Sequence, residues 1–225
     1  MDIQAIYEDK YSSFAYLPYY QEEKQFYGYQ FELFLAHLDD KNISKKSLID
    51  LGCGFGMKSH IMKSYFDRVV GVDFAHNIIE VNTLLSSDRG LTFATVDLNK
   101  AESSDEKFDY IVANGLSLFN DADVKKCSDQ LLRLIHLYGK KKGNFVIWSF
   151  SDFSGKAPTG WHNHTKRELS AWLNYLKAEH QLKCSIFYPY KKFGFSSRSL
   201  KEIVIAIYRY FRKRQYYFIS IQYEF

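Results

Sequence analysis

Apolar positions in the first two thirds of the chain fall into short runs, separated by stretches with a helical period. Ser47-Leu48-Ile49-Asp50-Leu51 and Arg68-Val69-Val70-Gly71-Val72-Asp73 are the first two runs, and both predict strands. Leu91 to Asp97, Phe108 to Asn114 and Gly143 to Phe150 predict three more. Between them, residues 57–66 suit a helix with Ile61, Met62 and Phe66 on one face, and Ala75 to Leu85 suits a second. Residues 121–138 form an amphipathic pattern with Val124, Leu131, Leu132 and Ile135 inward. Ahead of all this, Phe26, Phe31, Phe34, Leu35 and Leu38 recur at near-helical spacing and predict a helix from about Gln21 to Leu38.

Beyond residue 150 the rhythm changes. Ser151 to Asn163 reads as a loop, and Thr165-Lys166-Arg167-Glu168 matches a capping box that should open a helix to about Ala178. Cys184 to Tyr188 looks like a strand. Residues 199–214 fit a helix through Leu200, Ile203, Val204, Ile207 and Phe211, although β-branched residues compete with that period. Tyr216 to Phe225 reads as a last strand, antiparallel to its neighbour. The whole predicts an α/β fold: a doubly wound, seven-stranded, mainly parallel sheet with an antiparallel last strand and an N-terminal helical cap. Proline occurs at Pro18, Pro158 and Pro189 alone, and no linker or repeat divides the chain, so one domain is expected.

Composition adds modest constraints. The 46% hydrophobic and 25% charged content is ordinary for a globular chain, but aromatic residues reach 18%, with 19 Phe and 18 Tyr. Tyr carries an apolar body and a polar tip, which suits pocket walls. No run of 18 apolar residues predicts a membrane span. The opening Met1-Asp2-Ile3-Gln4 lacks the basic-then-apolar pattern of a secretory signal. Cys53, Cys127 and Cys184 form no CxxC pair, so neither zinc nor a disulfide framework is expected and a reducing cytoplasm is the simplest compartment. The net charge of +4 hides an asymmetry of −7 over residues 1–120 and +11 over 121–225. The basic half, including Arg209, Arg212, Lys213 and Arg214, suits an acidic substrate or anionic surface, and equally a solvated helix face. Neither a recognised module nor the charge calls for nucleic acid.

The strongest chemical signal is Asp50-Leu51-Gly52-Cys53-Gly54-Phe55-Gly56, a turn between a predicted strand and a predicted helix. A ligand can approach backbone NH groups only where side chains are absent, and Gly also permits the tight turn. The helix that follows offers its positive end to a negative group. Asp73 ends the second strand, 19 residues after Gly54, where nucleoside-binding α/β folds place an acid on ribose hydroxyls. The competing readings are a ligand-free turn and a surface Asp capping the next helix.

These residues resemble the class I S-adenosylmethionine-dependent methyltransferases. Leu48 to Gly56 looks like their motif I, and Val70-Gly71-Val72-Asp73-Phe74-Ala75 like the ribose-binding strand end. Thr95-Val96-Asp97-Leu98 is similar to the adenine-contacting segment, and Phe108 to Gly115 to motif IV. The resemblance covers about residues 47–150. It implies S-adenosyl-L-methionine as cofactor, with Gly52, Cys53 and Gly54 passing under its methionine part and Asp50 helping to hold the amino group. By the same resemblance, Asp73 would hold the ribose, Phe74 would lie against adenine, and Asp97 and Leu98 would meet the adenine edge. Asn114 and Gly115 would contribute main-chain contacts near the amino-acid end, and Tyr11 would close the site from the N-terminal segment. Residues 1–40 would then be a cap, 47–150 the cofactor-binding core and 151–225 the acceptor side.

A dinucleotide oxidoreductase shares the scaffold, but its G-x-G-x-x-G fingerprint is missed because Met57 stands where the third Gly belongs. The reaction expected is in-line methyl transfer to an O or N atom of a small molecule, in the cytoplasm. The alternatives are a methyltransferase of protein or RNA and a non-catalytic protein that only binds the cofactor. A hydroxyl acceptor would need a base, and His162 and His164, in Trp161-His162-Asn163-His164-Thr165, are the candidates after strand five. Their HxH spacing also suits a metal, but no third ligand is evident. Tyr16, Tyr19 and Tyr20 suit an aromatic lid, or a helix packed on the sheet. His60, His76 and His136 fall on predicted helices, where packing or surface roles are expected.

Overall fold

The apolar runs of the first half line up side by side at the centre of one sheet. The computed structural model describes residues 20–38, 40, 42–155, 162–189 and 215–225, with the main chain alone at 20–22. Its strands are β1 (Ser47–Leu51), β2 (Arg68–Asp73), β3 (Leu91–Thr95), β4 (Phe108–Asn114), β5 (Gly139–Ser151), β6 (Lys183–Phe187) and β7 (Gln215–Glu224). The order across the sheet is β3-β2-β1-β4-β5-β7-β6. β1 to β5 pair in parallel, and β7 lies antiparallel between β5 and β6. This is the class I methyltransferase fold expected from the sequence. Tyr11, Tyr16, Tyr19, the helix expected over 199–214 and its Arg209, Arg212, Lys213 and Arg214 lie outside the described residues. So does the side chain of Tyr20.

Among the described residues, five α-helices cover the sheet: α1 (Tyr20–Leu38), α2 (Met57–Lys63), α3 (His76–Leu85), α4 (Val124–Tyr138) and α5 (Lys166–His180). Central strands are apolar throughout because both faces are covered, so successive residues enter opposite cores. On β5, Phe145 and Ile147 join Leu131, Leu134, Trp172 and Leu176 of α4 and α5. Their neighbours Val146 and Trp148 join Phe31 and Phe34 of α1 and Ile61 and Met62 of α2. The cap is an integral layer: Phe34 stacks on Phe218 at 4.4 Å between centroids and Phe31 on Trp148 at 5.6 Å. None of the described helices is long and apolar enough to cross a membrane.

Several boundaries differ from expectation, three of them with a clear cause or consequence. β3 stops at Thr95, because the main-chain amides of Lys100 and Ala101 fold back onto the Asp97 carbonyl. α2 ends at Lys63, three residues early, and Phe66 stays buried in the turn that follows. β5 starts at Gly139, directly after α4 and four residues before the expected start at Gly143. Its exposed lysines carry no alternation to read, yet Lys142 lies opposite Glu224 on β7 and its Nζ stands 2.9 Å from that carboxylate.

Sequence order reverses between β1 and β4, so the crevice for a ligand opens beyond their carboxyl ends. The glycine turn follows β1 there, and Asn114-Gly115 ends β4. A groove of about 810 Å³ at the opposite edge, lined by Asp40, Lys46, Tyr110 and Glu224, touches none of these residues.

Candidate active site

The turn after β1 passes through Gly52, Gly54 and Gly56 with φ of +74°, +49° and +68°. The amides of Gly52 and Cys53 donate to the Val72 carbonyl at 2.8 and 2.9 Å, tying the turn to β2. Asp73 is buried and accepts from both sides of the crevice: the Gly54 amide at 3.0 Å and the Ala75 amide at 3.1 Å. Asn82 of α3 donates to the Gly54 carbonyl at 2.7 Å. Gly56 caps α2 in the left-handed region, where a side chain is strained. A Cβ there would also come within 2.9 Å of the Phe93 ring. The same ring lies on Gly71, where a Cβ would stand 2.6 Å from it. Phe93 thus packs a flat face against β2 and the turn together.

Asp50 sits beneath the turn with no exposed surface. The Ser59 hydroxyl donates to its Oδ2 at 2.6 Å, while Oδ1 has no hydrogen-bond partner among the described residues. Burial pushes its carboxyl up to about 6, against the pull of Ser59 and Lys58. An unsatisfied buried acceptor costs about 1–3 kcal/mol, so Asp50 Oδ1 is a standing demand for a donor.

Lys58, in the first turn of α2, reaches the same region. Its ammonium donates to Asn114 Oδ1 and lies over the rings of Tyr27 and Trp148, 4.6 and 4.4 Å from their centroids. Burial pulls it down to about 7, against the fields of Asp50 and Glu23. Among the described residues it has no carboxylate in ion-pair contact. A cation near a helix N-terminus opposes the helix dipole. That unfavourable position is the only sign of Lys58 that the sequence carries. Trp148 Nε1 is likewise buried without a partner among the described residues.

The remaining rim residues line up along the crevice. Phe74 is partly exposed at the end of β2. The Val96 amide donates to the Asp73 carbonyl at 2.8 Å, which brings the Asp97 turn beside Asp73. The Asp97 carboxylate accepts from the Asn99 amide at 3.0 Å and pairs with Lys100 at 3.1 Å. The Leu98 side chain is buried in the core, so its main chain is what it offers to a ligand. Gly115 has φ of +60° and donates to the Trp148 carbonyl at 3.0 Å, with open space where a Cβ would stand. Cys53 is buried below the turn with Ala75, Ile78 and Ile79.

On the other side of the crevice, the chain after β5 folds back against the chain after β4. The His162 amide donates to the Asn120 carbonyl at 2.8 Å, and Ser151 Oγ to the His164 carbonyl at 3.0 Å. His164 is buried, with Nε2 at 2.8 Å from the Phe119 carbonyl and its ring stacked on Trp172. A carbonyl only accepts, so His164 carries its proton on Nε2, and burial pulls its basicity down. His162 packs edge-on against His164, with Nε2 3.2 Å from Glu168 Oε1. Glu168 also completes the capping box expected at α5: its Oε2 accepts from the Thr165 amide at 2.6 Å and its amide donates to Thr165 Oγ1 at 3.2 Å. In sequence Glu168 read as a cap alone, so its approach to both histidines went unseen.

A crevice at the strand switch point, a glycine turn and an acid at the next strand end define a nucleoside-binding site of the methyltransferase type. The family model described as a methyltransferase domain matches residues 42–206, well over half of the chain, and the chain belongs to that family. It is an S-adenosylmethionine-dependent methyltransferase. Comparison with curated protein sequences finds no match. The fold is similar to that of the plantazolicin methyltransferase BpumL, solved with a desmethylPZN analog and SAH. The two are 14% identical over 98% of this chain and 91% of that one, with a TM-score of 0.61. It is also similar to the magnesium protoporphyrin IX methyltransferase of Synechocystis PCC 6803, solved with SAM. There the identity is 15% over 100% and 98% of the chains and the TM-score 0.59. A third likeness is the geranyl diphosphate C-methyltransferase of Streptomyces coelicolor A3(2), 16% identical over 85% and 78%, with a TM-score of 0.54.

Proposed function

We propose that this methyltransferase transfers the methyl group to an O or N atom of a small molecule. The observation that carries this reading is an aromatic wall beside Asn114. Tyr27 and Trp148 pack edge to face at 5.8 Å, Tyr27 and Tyr216 at 5.6 Å, and Phe150 tilts against Tyr216 at 4.9 Å. Such a wall suits a small, flat acceptor better than a charged polymer. The structural neighbours act on unlike acceptors, so the fold by itself does not select one.

The residues fit the cofactor. Asp73 would hold the ribose hydroxyls, Phe74, Asp97 and the Leu98 main chain would meet the adenine, and the unsatisfied Asp50 Oδ1 would take the amino group. We assign the Lys58 ammonium, the buried cation beside Asn114, to the carboxylate. When bound, the cofactor supplies an electrophilic methyl on a sulfonium, which needs alignment and exclusion of water more than covalent help. The protein provides both through the turn and the aromatic wall. His162 and His164 belong to the acceptor side. With the His164 proton fixed toward Phe119, His162 is the better placed to act on an acceptor hydroxyl. The three cysteines are free thiols, which fits a cytoplasmic enzyme.

An activity screen with methyl-labelled cofactor tests the reading. Label should pass to members of a library of aromatic and heterocyclic metabolites. Transfer to peptides or tRNA alone would overturn the small-molecule assignment, and tight cofactor binding with no transfer to anything would favour a binding protein.

A further inference from the structure

We propose that His162, His164 and Glu168 form a zinc site at the mouth of the acceptor side, with a water in the fourth position. One donor atom from each of the three lies within 4.8 Å of the others. With zinc bonds of about 2.0–2.2 Å, a tetrahedral site places neighbouring donors roughly 3.3–3.5 Å apart. His162 Nε2 and Glu168 Oε1 already stand at 3.2 Å. The longest separation exceeds such an edge by about 1.5 Å, within reach of side-chain rotation.

The surroundings match what a metal site requires. Ligating histidines donate their other ring NH to a carbonyl or carboxylate, which fixes ring and tautomer. His164 does this with Phe119, and its Nδ1 therefore keeps the lone pair. His162 Nε2 is buried and has no aligned hydrogen bond among the described residues, although Glu168 is close. Glu168 divides its work: Oε2 is held by the Thr165 amide, which orients Oε1 toward His162. Among the described residues no Lys or Arg is in ion-pair contact with Glu168, and the Asp121 carboxylate adds a negative field at both histidines. The α5 N-terminus opposes a cation here and Glu168 offsets it, while Asp121 shares its charge with Lys126. Two imidazoles and one carboxylate make a donor set that suits zinc and leaves a position open. The alternative is a simple ion pair between protonated His162 and Glu168. Zinc on His162 occupies the lone pair that a base would use, so the base role belongs to the metal-free chain and zinc at this site would silence it.

The test uses the full chain without cofactor or acceptor, stripped by chelation and titrated with zinc chloride against a chromophoric indicator. One zinc per chain should bind, and cobalt in its place should give the strong visible absorption of a four-coordinate ion. His162→Ala should weaken zinc by at least about 100-fold, since even outer-shell changes cost about 10–100-fold. Glu168→Gln keeps a side chain that still closes the capping box. It should therefore weaken zinc by at least about tenfold while the metal-free melting temperature holds. No stoichiometric zinc in the wild type, or equal affinity in the wild type and Glu168→Gln, would overturn the site. Because no methyl transfer is measured, its failure leaves the enzyme assignment untouched.

Discussion

The two walls of the crevice are built on different principles. The cofactor wall is mostly backbone: strand ends, a glycine turn and amides that share Asp73. The wall proposed for the acceptor is mostly side chains, reaching in from α1, from β5 and from the loop before α5. Backbone geometry recurs wherever a nucleoside must be held, so that wall carries a recognisable spelling. Side chains converging from distant segments have no fixed spelling, and that wall is particular to this chain.

The contrast can be tested where it is sharpest. Asp73→Ala removes the acceptor for the ribose and for two amides of the cofactor wall. Charge-assisted hydrogen bonds are worth about 1.5–3 kcal/mol each, so cofactor affinity should fall by at least about 100-fold in calorimetry. An unchanged Kd would mean that Asp73 only braces the turn. His162→Ala attacks the other wall: kcat should fall by about tenfold or more while the cofactor Kd holds. A fall in cofactor affinity of similar size would erase the division between the walls.

Lys58 joins the two walls, so its variant has a mixed signature. Lys58→Met should weaken S-adenosylmethionine by about tenfold and leave a decarboxylated analogue unaffected. The pH dependence has a definite sign. Burial holds the free ammonium near 7, and a bound carboxylate would favour its charged form and raise that value. Below neutrality the group is already charged and adds no pH dependence. Above it, binding must take up a proton, and affinity falls by up to about tenfold per pH unit. The cofactor's own amino group titrates in both proteins, so the ratio of wild-type to Lys58→Met affinity isolates this effect. A ratio flat from pH 7 to 9 would remove Lys58 from the cofactor site. The smallest effect is expected at Thr165→Ala, which loses the cap of α5. It should cost about 1 kcal/mol, or roughly 2–4 °C in Tm, with cofactor affinity unchanged.

Legibility in the sequence followed the same division. β1, β2 and β4 match their expected bounds because both faces of each are largely buried and apolar residues dominate each run. The first residues of β5 were illegible, since Lys140 to Lys142 are exposed and hold their place by cross-strand pairing. Lys58 and Asn114 are 56 residues apart, and Trp148 lies further still, so no periodicity brings them together. Glu168 was read correctly as a cap, and that first role hid its approach to the histidines.

Phe93 has a consequence for how this site can evolve. Its ring fills the space a Cβ would need at Gly56 and Gly71, so the three positions form one inherited unit. Gly71→Ala introduced alone meets the ring, whereas the same change after Phe93→Leu is left with the Ser59 hydroxyl, 3.0 Å from the new Cβ, as its nearest neighbour outside the ring. For Gly71 the accessible mutational path therefore has an order: the ring must shrink before the glycine can grow, whereas Gly56 stays bound to glycine by its φ of +68° and by Asn82. A double-mutant cycle between Phe93 and Gly71 should be strongly non-additive. Lineages of this enzyme should then keep Phe93 and Gly71 together or exchange them together.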